Sequence, residues 1–151
     1  MNSKIYRIMI LIAVDACIVA FSSIMPLALR FGIFTMDVAF CQAMLETGWL
    51  QYRGAVKIES FNFAGIGAVD SNPTGAAKFK SAREGIRAQI QHLKAYANKL
   101  PLNNEQVDPR FLLVKRGSAP NVEDLGGKWA SDVQYGNKIV KLMEFLWSCQ
   151  S

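Results

Sequence analysis

One carboxylic acid, Glu46, lies in a setting that suits proton transfer. In the run QAMLETGWLQY it follows Met44 and Leu45 and precedes Trp49 and Tyr52. Burial against such side chains and the negative end of a helix dipole both disfavour a carboxylate, so we expect a raised pKa for Glu46. A carboxyl group that keeps its proton can protonate a departing sugar oxygen, which is a poor leaving group as an alkoxide. The alternative from the residues alone is a glutamate at a frayed helix end.

Other residue patterns give little support to other chemistries. The single histidine, His92, lies about a third of a turn off the apolar stripe of its predicted helix, so we expect a solvated surface residue. Gly65 and Gly67 lack the third glycine and the Lys-Ser/Thr pair of phosphate-binding loops, which excludes nucleotide binding. The cysteines lack the spacing of metal ligands. They are Cys17, Cys41 and Cys149. We therefore expect chemistry without a metal or cofactor.

Length and composition describe one folded domain. Of 151 residues, 51% are hydrophobic and 19% are charged, which excludes disorder and collagen-like repetition. The 17 Lys and Arg against 12 Asp and Glu give a net charge of +5, which favours an anionic partner. Basic side chains between Lys78 and Lys99 surround an apolar stripe, as on a solvated helix face. We therefore expect no nucleic-acid partner.

The first 34 residues differ in composition from the rest. Residues 8–29 form an apolar run, IMILIAVDACIVAFSSIMPLAL, whose one charge is Asp15. This length, with Lys4 and Arg7 before it, is typical of a signal peptide or membrane anchor. The alternative is a buried first helix of the domain. We divide the chain into a hydrophobic N-terminal segment, 1–34, and a globular domain, 35–151.

The first predicted helix carries Glu46 near its end. Apolar residues recur on one face from Met36 to Thr47, and Gly48 follows as a typical helix stop. The stretch from Phe61 to Gly75 is rich in Gly, Asn and Pro. We predict that this stretch is a loop with a short hairpin.

Two further helices are predicted after this loop. One begins at Ser81, which forms a capping box with Glu84, and the last begins at Ser131, which pairs with Gln134 in the same way. Residues 98–130 carry several turn signals and should be irregular with short helical pieces. The side chains expected to be buried are Ile86, Ile90, Leu93 and Ala97 in the first of these helices and Ile139, Leu142, Met143 and Leu146 in the second.

Three ordered motifs resemble those of one enzyme family. They are Glu46-Thr47-Gly48-Trp49, Asn62-Phe63-Ala64-Gly65-Ile66, and Trp129-Ala130-Ser131-Asp132 followed by Tyr135. Through them, residues 37–146 resemble the bacterial endo-β-N-acetylglucosaminidases of glycoside hydrolase family 73, which are peptidoglycan hydrolases of the autolysin and flagellar-muramidase type. One departure is Ala64, which stands where the family usually has a second aromatic residue.

The resemblance implies a lysozyme-like α+β fold that is mainly α, preceded by a hydrophobic N-terminal helix. The glycine-rich stretch would form a small lobe over a sugar-binding cleft. Glu46 would be the general acid, and Asp70 would be the second catalytic carboxylate. Alternatively, Asp70 only forms a turn and the acetamido oxygen of the substrate is the nucleophile. The residues implied to bind substrate are Trp49, Asn62, Phe63, Trp129 and Tyr135. Of these, Trp49 should be largely buried beside the acid.

The function implied is hydrolysis of peptidoglycan glycan strands on the reducing side of N-acetylglucosamine. We expect a monomer outside the cell or in the cell wall, with residues 8–29 as the candidate membrane anchor. One alternative is a muramidase or lytic transglycosylase on the same fold. The other is a non-catalytic wall-binding membrane protein, which the weak second acid favours and the intact Glu46 motif disfavours.

Overall fold

Helices make up most of the regular structure. The computed structural model describes residues 36–52, 57–68 and 75–148. The α-helices are α1, Met36–Thr47; α2, Ala82–Ala97; and α3, Tyr135–Ser148. Short 3-10 helices lie at Ile58–Ser60, Phe111–Leu113 and Glu123–Leu125.

The mainly α class is therefore confirmed, and strands are almost absent from the residues that the structure describes. Within the described ranges the one β-type pairing is an isolated bridge between Gly126 and Ala130. The hairpin expected between Phe61 and Gly75 is not found in the described part of that stretch.

α1 ends where the sequence predicts. Gly48 adopts the left-handed region with φ of 57°, and the N–H of Trp49 donates to the carbonyl of Met44 at 2.8 Å. This bond satisfies a carbonyl that the helix end would otherwise leave unpaired. Trp49 and Leu50 also have φ of 59°, which is uncommon for residues with a side chain. The chain thus turns sharply within a few residues of Glu46.

Ser81 caps α2 as predicted. Its Oγ accepts from the N–H of Glu84 at 3.3 Å, while Glu84 Oε2 accepts from the N–H of Lys80 at 2.7 Å, one residue earlier than in the expected box. Close packing follows at Gly85, where an added Cβ would lie 1.8 Å from the carbonyl oxygen of Phe61. Glycine therefore allows the glycine-rich stretch to lie directly on the first turn of α2.

The buried face of α2 is wider than the predicted stripe. Ile86 and Leu93 are buried, whereas Ile90 and Ala97 are only partly buried. Three polar residues share the buried face: Gln89, Gln91 and His92. This helix is thus enclosed on more sides than its apolar residues alone indicate.

α3 begins at Tyr135, four residues later than predicted. Asp132 Oδ1 accepts from the N–H of Gln134 at 2.8 Å, and the Asp132 carbonyl accepts from the N–H of Tyr135 at 3.1 Å. These bonds make residues 131–134 a turn. The prediction that Ser131 caps this helix is therefore wrong by about one helical turn.

One apolar core joins the three helices. We call residues 98–134, between α2 and α3, the connection. The buried members of the core are Val38, Ala39 and Cys41 from α1, Ile86 and Leu93 from α2, Ala119, Val122 and Leu125 from the connection, and Tyr135, Ile139 and Met143 from α3. Leu142 and Leu146 pack against it and are partly buried. A smaller cluster holds the glycine-rich stretch on α2 through Ala64, Ile66, Phe79 and Ala88. Trp129 packs against both clusters and so lies where they meet.

The predictions for the N-terminal segment, 1–34, fall outside the described residues, as do both interpretations of residues 8–29. Among the residues that the structure does describe, no helix has the length and apolar character needed to span a membrane.

Candidate active site

The carboxyl group of Glu46 is held by a side chain from far along the sequence. Glu46 lies in the last turn of α1, and Tyr135 is the first residue of α3. The Tyr135 hydroxyl donates a hydrogen bond to Glu46 Oε1 over 2.5 Å, across 89 positions of sequence. The packing of α1 against α3 therefore fixes one carboxyl oxygen.

Gly65 brings the glycine-rich stretch to the other carboxyl oxygen. Its φ of 64° lies in the left-handed region that glycine adopts without strain. An added Cβ would lie 3.2 Å from Glu46 Oε2, closer than ordinary van der Waals contact. Glycine thus meets both a backbone requirement and a space requirement here. We call Glu46, Gly65, Trp129 and Tyr135 the Glu46 site.

Trp129 completes the Glu46 site from the connection between α2 and α3. Its indole N–H is a second hydrogen-bond donor to the Glu46 carboxylate. The ring of His92 meets the Trp129 ring edge-on, with centroids 4.7 Å apart and an interplanar angle of 85°. The ring of Tyr96 also packs against the Trp129 ring, with centroids 5.8 Å apart. Two aromatic side chains of α2 therefore hold the indole in place.

Burial raises the pKa of Glu46 above its ordinary value of 4.5, and the hydrogen bonds from Tyr135 and Trp129 partly oppose that rise. The predicted direction is confirmed, with burial as the main cause. The residue is nevertheless accessible to solvent. Protein thus surrounds the carboxyl group on several sides without closing it off. A group in this position retains its proton to a higher pH than an ordinary glutamate and can still meet a substrate.

A buried chain of hydrogen bonds continues behind Tyr135. Gln42 Nε2 donates to the Tyr135 hydroxyl oxygen at 3.0 Å. Gln89 Nε2 donates both to Gln42 Oε1 at 2.9 Å and to the carbonyl of Ala39 at 2.8 Å. Gln42 and Gln89 are 0% and 2% exposed. These hydrogen bonds thus connect α2 through α1 to α3, and the last of them ends at Glu46 Oε1.

Asn62, an expected substrate-binding residue, is buried and organises the glycine-rich stretch. Its amide nitrogen donates to the carbonyls of Ile66 at 2.9 Å and Ala77 at 3.1 Å, and its Oδ1 accepts from the N–H of Ile66 at 3.0 Å. These bonds use both amide hydrogens and one acceptor site of the oxygen. The asparagine therefore acts on the Glu46 site through the position of the loop that contains Gly65.

The remaining expected site residues are placed differently. Phe63 is partly buried and packs against the main core. Trp49 is 48% exposed, so the expectation that it is largely buried is wrong. The sharp turn after α1 directs the chain outward at this position. Asp70 lies outside the described residues. The structure thus brings Glu46, Trp129 and Tyr135 together. The roles of all five expected residues in substrate binding stay predictions.

His92 is buried, so its assignment to the solvated surface is wrong. Its Nδ1 lies 2.7 Å from Asp108 Oδ2, and Asp108 is 0% exposed. Gln91 Oε1 accepts from the N–H groups of Val107 and Asp108 nearby. Polar groups of the connection therefore cover a side of α2 that the spacing of its apolar residues predicts to be exposed to solvent.

Gln42 and Gln89 are the site-supporting residues that sequence reasoning missed. Gln42 precedes Glu46 by four positions, so it lies on the same helix face one turn earlier. Gln89 lies between Ile86 and Leu93 on the apolar stripe of α2. An uncharged polar residue within an apolar face is the signal that would have pointed to a buried hydrogen-bond partner.

A cavity of about 500 Å³ has a lining that does not include Glu46. It is lined by Tyr96, Leu113, Val114, Lys115, Ser118 and Lys128. This lining includes no acid, so the candidate proton-transfer chemistry belongs to the Glu46 site.

Comparison with known proteins agrees with the sequence motifs. The family model of the glucosaminidases, described as mannosyl-glycoprotein endo-beta-N-acetylglucosaminidase, matches residues 22–146. An uncharacterized protein of Borreliella burgdorferi is 51% identical over 107 residues, which cover 71% of this chain and 52% of that protein. The chain thus spans about half the length of this curated relative. No solved structure matches significantly. Because the family match includes all three motifs and most of the chain, this protein belongs to the glucosaminidase family, glycoside hydrolase family 73.

Proposed function

We propose that this chain cleaves peptidoglycan at the β-1,4 glycosidic bond on the reducing side of N-acetylglucosamine. Membership of the family supports a peptidoglycan hydrolase. The observation that carries the proposal is the carboxyl group of Glu46, whose pKa is raised by burial while the residue stays accessible to solvent. A protein that only binds glycan would not need a proton donor in this position, which argues against the non-catalytic alternative.

The first chemical step follows from the protonated form of Glu46. The proton passes to the glycosidic oxygen as the bond between that oxygen and the anomeric carbon breaks. The sugar on the reducing side then leaves as a neutral alcohol. Glu46 becomes a carboxylate, which the donors Tyr135 and Trp129 stabilise by hydrogen bonding.

The second step needs a group that supports the positive charge at the anomeric carbon. Either the acetamido oxygen of the substrate forms a cyclic intermediate, or a second carboxylate takes part, for which Asp70 is the candidate. Water then attacks the anomeric carbon and returns a proton to Glu46. Asp70→Asn separates the two routes, because a loss of activity comparable with that of a Glu46 variant requires the carboxylate.

Product analysis tests the bond that is cleaved. Purified peptidoglycan is digested with the full chain, reduced with borohydride and analysed by mass spectrometry. We expect reduced N-acetylglucosamine at the new ends, and no new ends with Glu46→Gln. Reduced muramic acid would instead identify a muramidase. Ends that borohydride does not reduce would identify a transglycosylase, which closes a ring in place of adding water.

We further propose that the enzyme acts outside the cytoplasm, where its polymeric substrate lies, with residues 8–29 as the anchor. Fractionation of cells producing the full chain or a chain lacking residues 1–34 tests this. We expect the full chain with the membranes and the shortened chain in solution with a cooperative melt. Aggregation of the shortened chain would instead identify residues 8–29 as part of the core.

A further inference from the structure

The hydrogen bonds behind Glu46 form a buried series that begins at the carbonyl of Ala39. That carbonyl determines the orientation of every later group in the series. The carbonyl oxygen of Ala39 can only accept, so the Gln89 side-chain atom facing it is the amide nitrogen. The same nitrogen faces Gln42, whose facing atom must therefore be its amide oxygen. One backbone carbonyl thus fixes the orientation of two buried amides.

The same logic extends to Tyr135. With its oxygen turned to Gln89, Gln42 presents its amide nitrogen to the Tyr135 hydroxyl, whose oxygen must accept. The single hydroxyl hydrogen then points to Glu46 Oε1, at 2.5 Å. Burial and the neighbouring carboxyl group raise the pKa of Tyr135 well above its ordinary value, so this hydrogen stays in place.

We propose that Gln89 and Gln42 are positioning residues that make Tyr135 a donor to Glu46 Oε1 and so assign the acidic proton of Glu46 to Oε2. In a carboxylic acid the carbonyl oxygen is a stronger hydrogen-bond acceptor than the hydroxyl oxygen, so the oxygen that accepts from Tyr135 is the one without the proton. The proton therefore resides on the oxygen beside Gly65. As an extension of the proposed function, the glycosidic oxygen must reach Glu46 at Oε2, next to the glycine-rich stretch.

Reversing the direction of the hydrogen bond between Gln42 and Tyr135 would have a measurable consequence. If Gln89 loses its amide, nothing holds the Gln42 amide in one orientation, and its oxygen can turn to Tyr135. The Tyr135 hydroxyl then donates to Gln42, and Glu46 loses a donor that stabilises its ionised form. Among the described residues, the groups that face Glu46 are Tyr135 from α3 and Trp129 from the connection, and residues 61–68 contribute no ionisable side chain.

The experiment is a pH titration of the Glu46 carboxyl carbon by ¹³C NMR in the full chain, in which the signal is identified by its loss in Glu46→Gln. Tyr135→Phe should move the midpoint to higher pH, and Gln89→Met should move it in the same direction. Gln89→Met combined with Tyr135→Phe should give the midpoint of Tyr135→Phe alone, because both changes remove the same bond. This titration needs no substrate, so its result stands whether or not the chain cleaves peptidoglycan.

Gln91→Met is the matched control. Gln91 is also a buried glutamine of α2, but its bonds go to the carbonyl of Glu105 and to the N–H groups of Val107 and Asp108. The Gln91→Met variant should therefore be less stable than wild type but should keep the wild-type titration midpoint of Glu46. The proposal would be overturned by the following pair of results. Gln89→Met melts cooperatively and keeps the wild-type midpoint of Glu46, while Tyr135→Phe shifts that midpoint.

Neutron diffraction of the wild-type protein below the Glu46 midpoint tests the same inference if Gln89→Met fails to fold. We expect deuterium on Glu46 Oε2 and the Tyr135 deuterium directed to Oε1. Deuterium on Oε1, or a Tyr135 deuterium directed to Gln42, would contradict the assignment.

Discussion

The two oxygens of the Glu46 carboxyl group are held by different parts of the molecule. On the helical side, Oε1 accepts from Tyr135, which is backed by Gln42 and Gln89 within a packed core. On the loop side, Oε2 faces Gly65, which has no side chain to offer. The glycine-rich stretch that contains Gly65 is held in place by a small apolar cluster and by the side-chain amide of Asn62.

This difference indicates a division of tasks. The helical side controls the protonation of the carboxyl group through side-chain hydrogen bonds. The loop side controls the space beside the oxygen that must meet the substrate, through backbone conformation. Changes on the helical side should therefore alter pH dependence, and changes on the loop side should alter stability and substrate access.

The largest effect is expected where the two sides meet. Glu46→Gln keeps the shape of the side chain but removes its proton donor, so activity on purified cell walls should fall by about 10²-fold or more. Glu59→Gln is the control, because Glu59 is an exposed acid in a separate 3-10 helix. It should keep near wild-type activity. Full activity in a folded Glu46→Gln protein would remove the basis of the proposed function.

A large effect on stability is expected on the loop side. Asn62→Ala leaves the carbonyl of Ala77 and the N–H of Ile66 without their partner, while the carbonyl of Ile66 still accepts from the N–H of Ala77. The cost is about 1–3 kcal/mol for each group that stays buried and unpaired. Denaturant unfolding should show the loss, and activity should fall as Gly65 moves. Asn137→Ala, at an exposed position of α3, should change little. Equal stability of the two variants would show that the amide does not hold the loop.

A smaller effect is expected from the indole of Trp129. Trp129→Phe removes the N–H that stabilises the Glu46 carboxylate, so the pKa of Glu46 should rise further. The basic limb of the pH profile of kcat/KM should then move to higher pH. Tyr96→Phe is the control, because its hydroxyl bonds to the carbonyl of Lys128 and not to Glu46. A limb that moves to lower pH would contradict the role of the indole.

The smallest effect concerns stability as a function of pH. The folded-state pKa of Glu46 lies above the ordinary 4.5, so its stabilising contribution is present below pH 4.5 and is lost as the pH rises through the folded-state pKa. The melting temperature of wild type relative to Glu46→Gln should therefore fall between pH 4 and neutrality. A relative melting temperature that rises over this range would mean that the folded protein favours the carboxylate.

Sequence reasoning predicted the local features of the helices better than the distant contacts on either side of Glu46. The end of α1 at Gly48 and the cap at Ser81 follow from local rules that need few distant contacts. The contact of Tyr135 with Glu46 depends on how α3 packs on α1, and local patterns do not contain this information. The inward role of Asn62 and the burial of His92 likewise depend on distant backbone groups and on Asp108. The start of α3 was misplaced because Asp132 forms a turn that competes with helix.

The dependence of the reaction on the leaving group tests the role of Glu46 most directly. A chitooligosaccharide and its dinitrophenyl glycoside differ in whether the departing oxygen needs a proton, because dinitrophenolate leaves readily as an anion. Glu46→Gln should lose about 10²-fold or more on the natural bond. It should lose far less on the dinitrophenyl glycoside. Equal losses on the two substrates would contradict the assignment of Glu46 as the general acid.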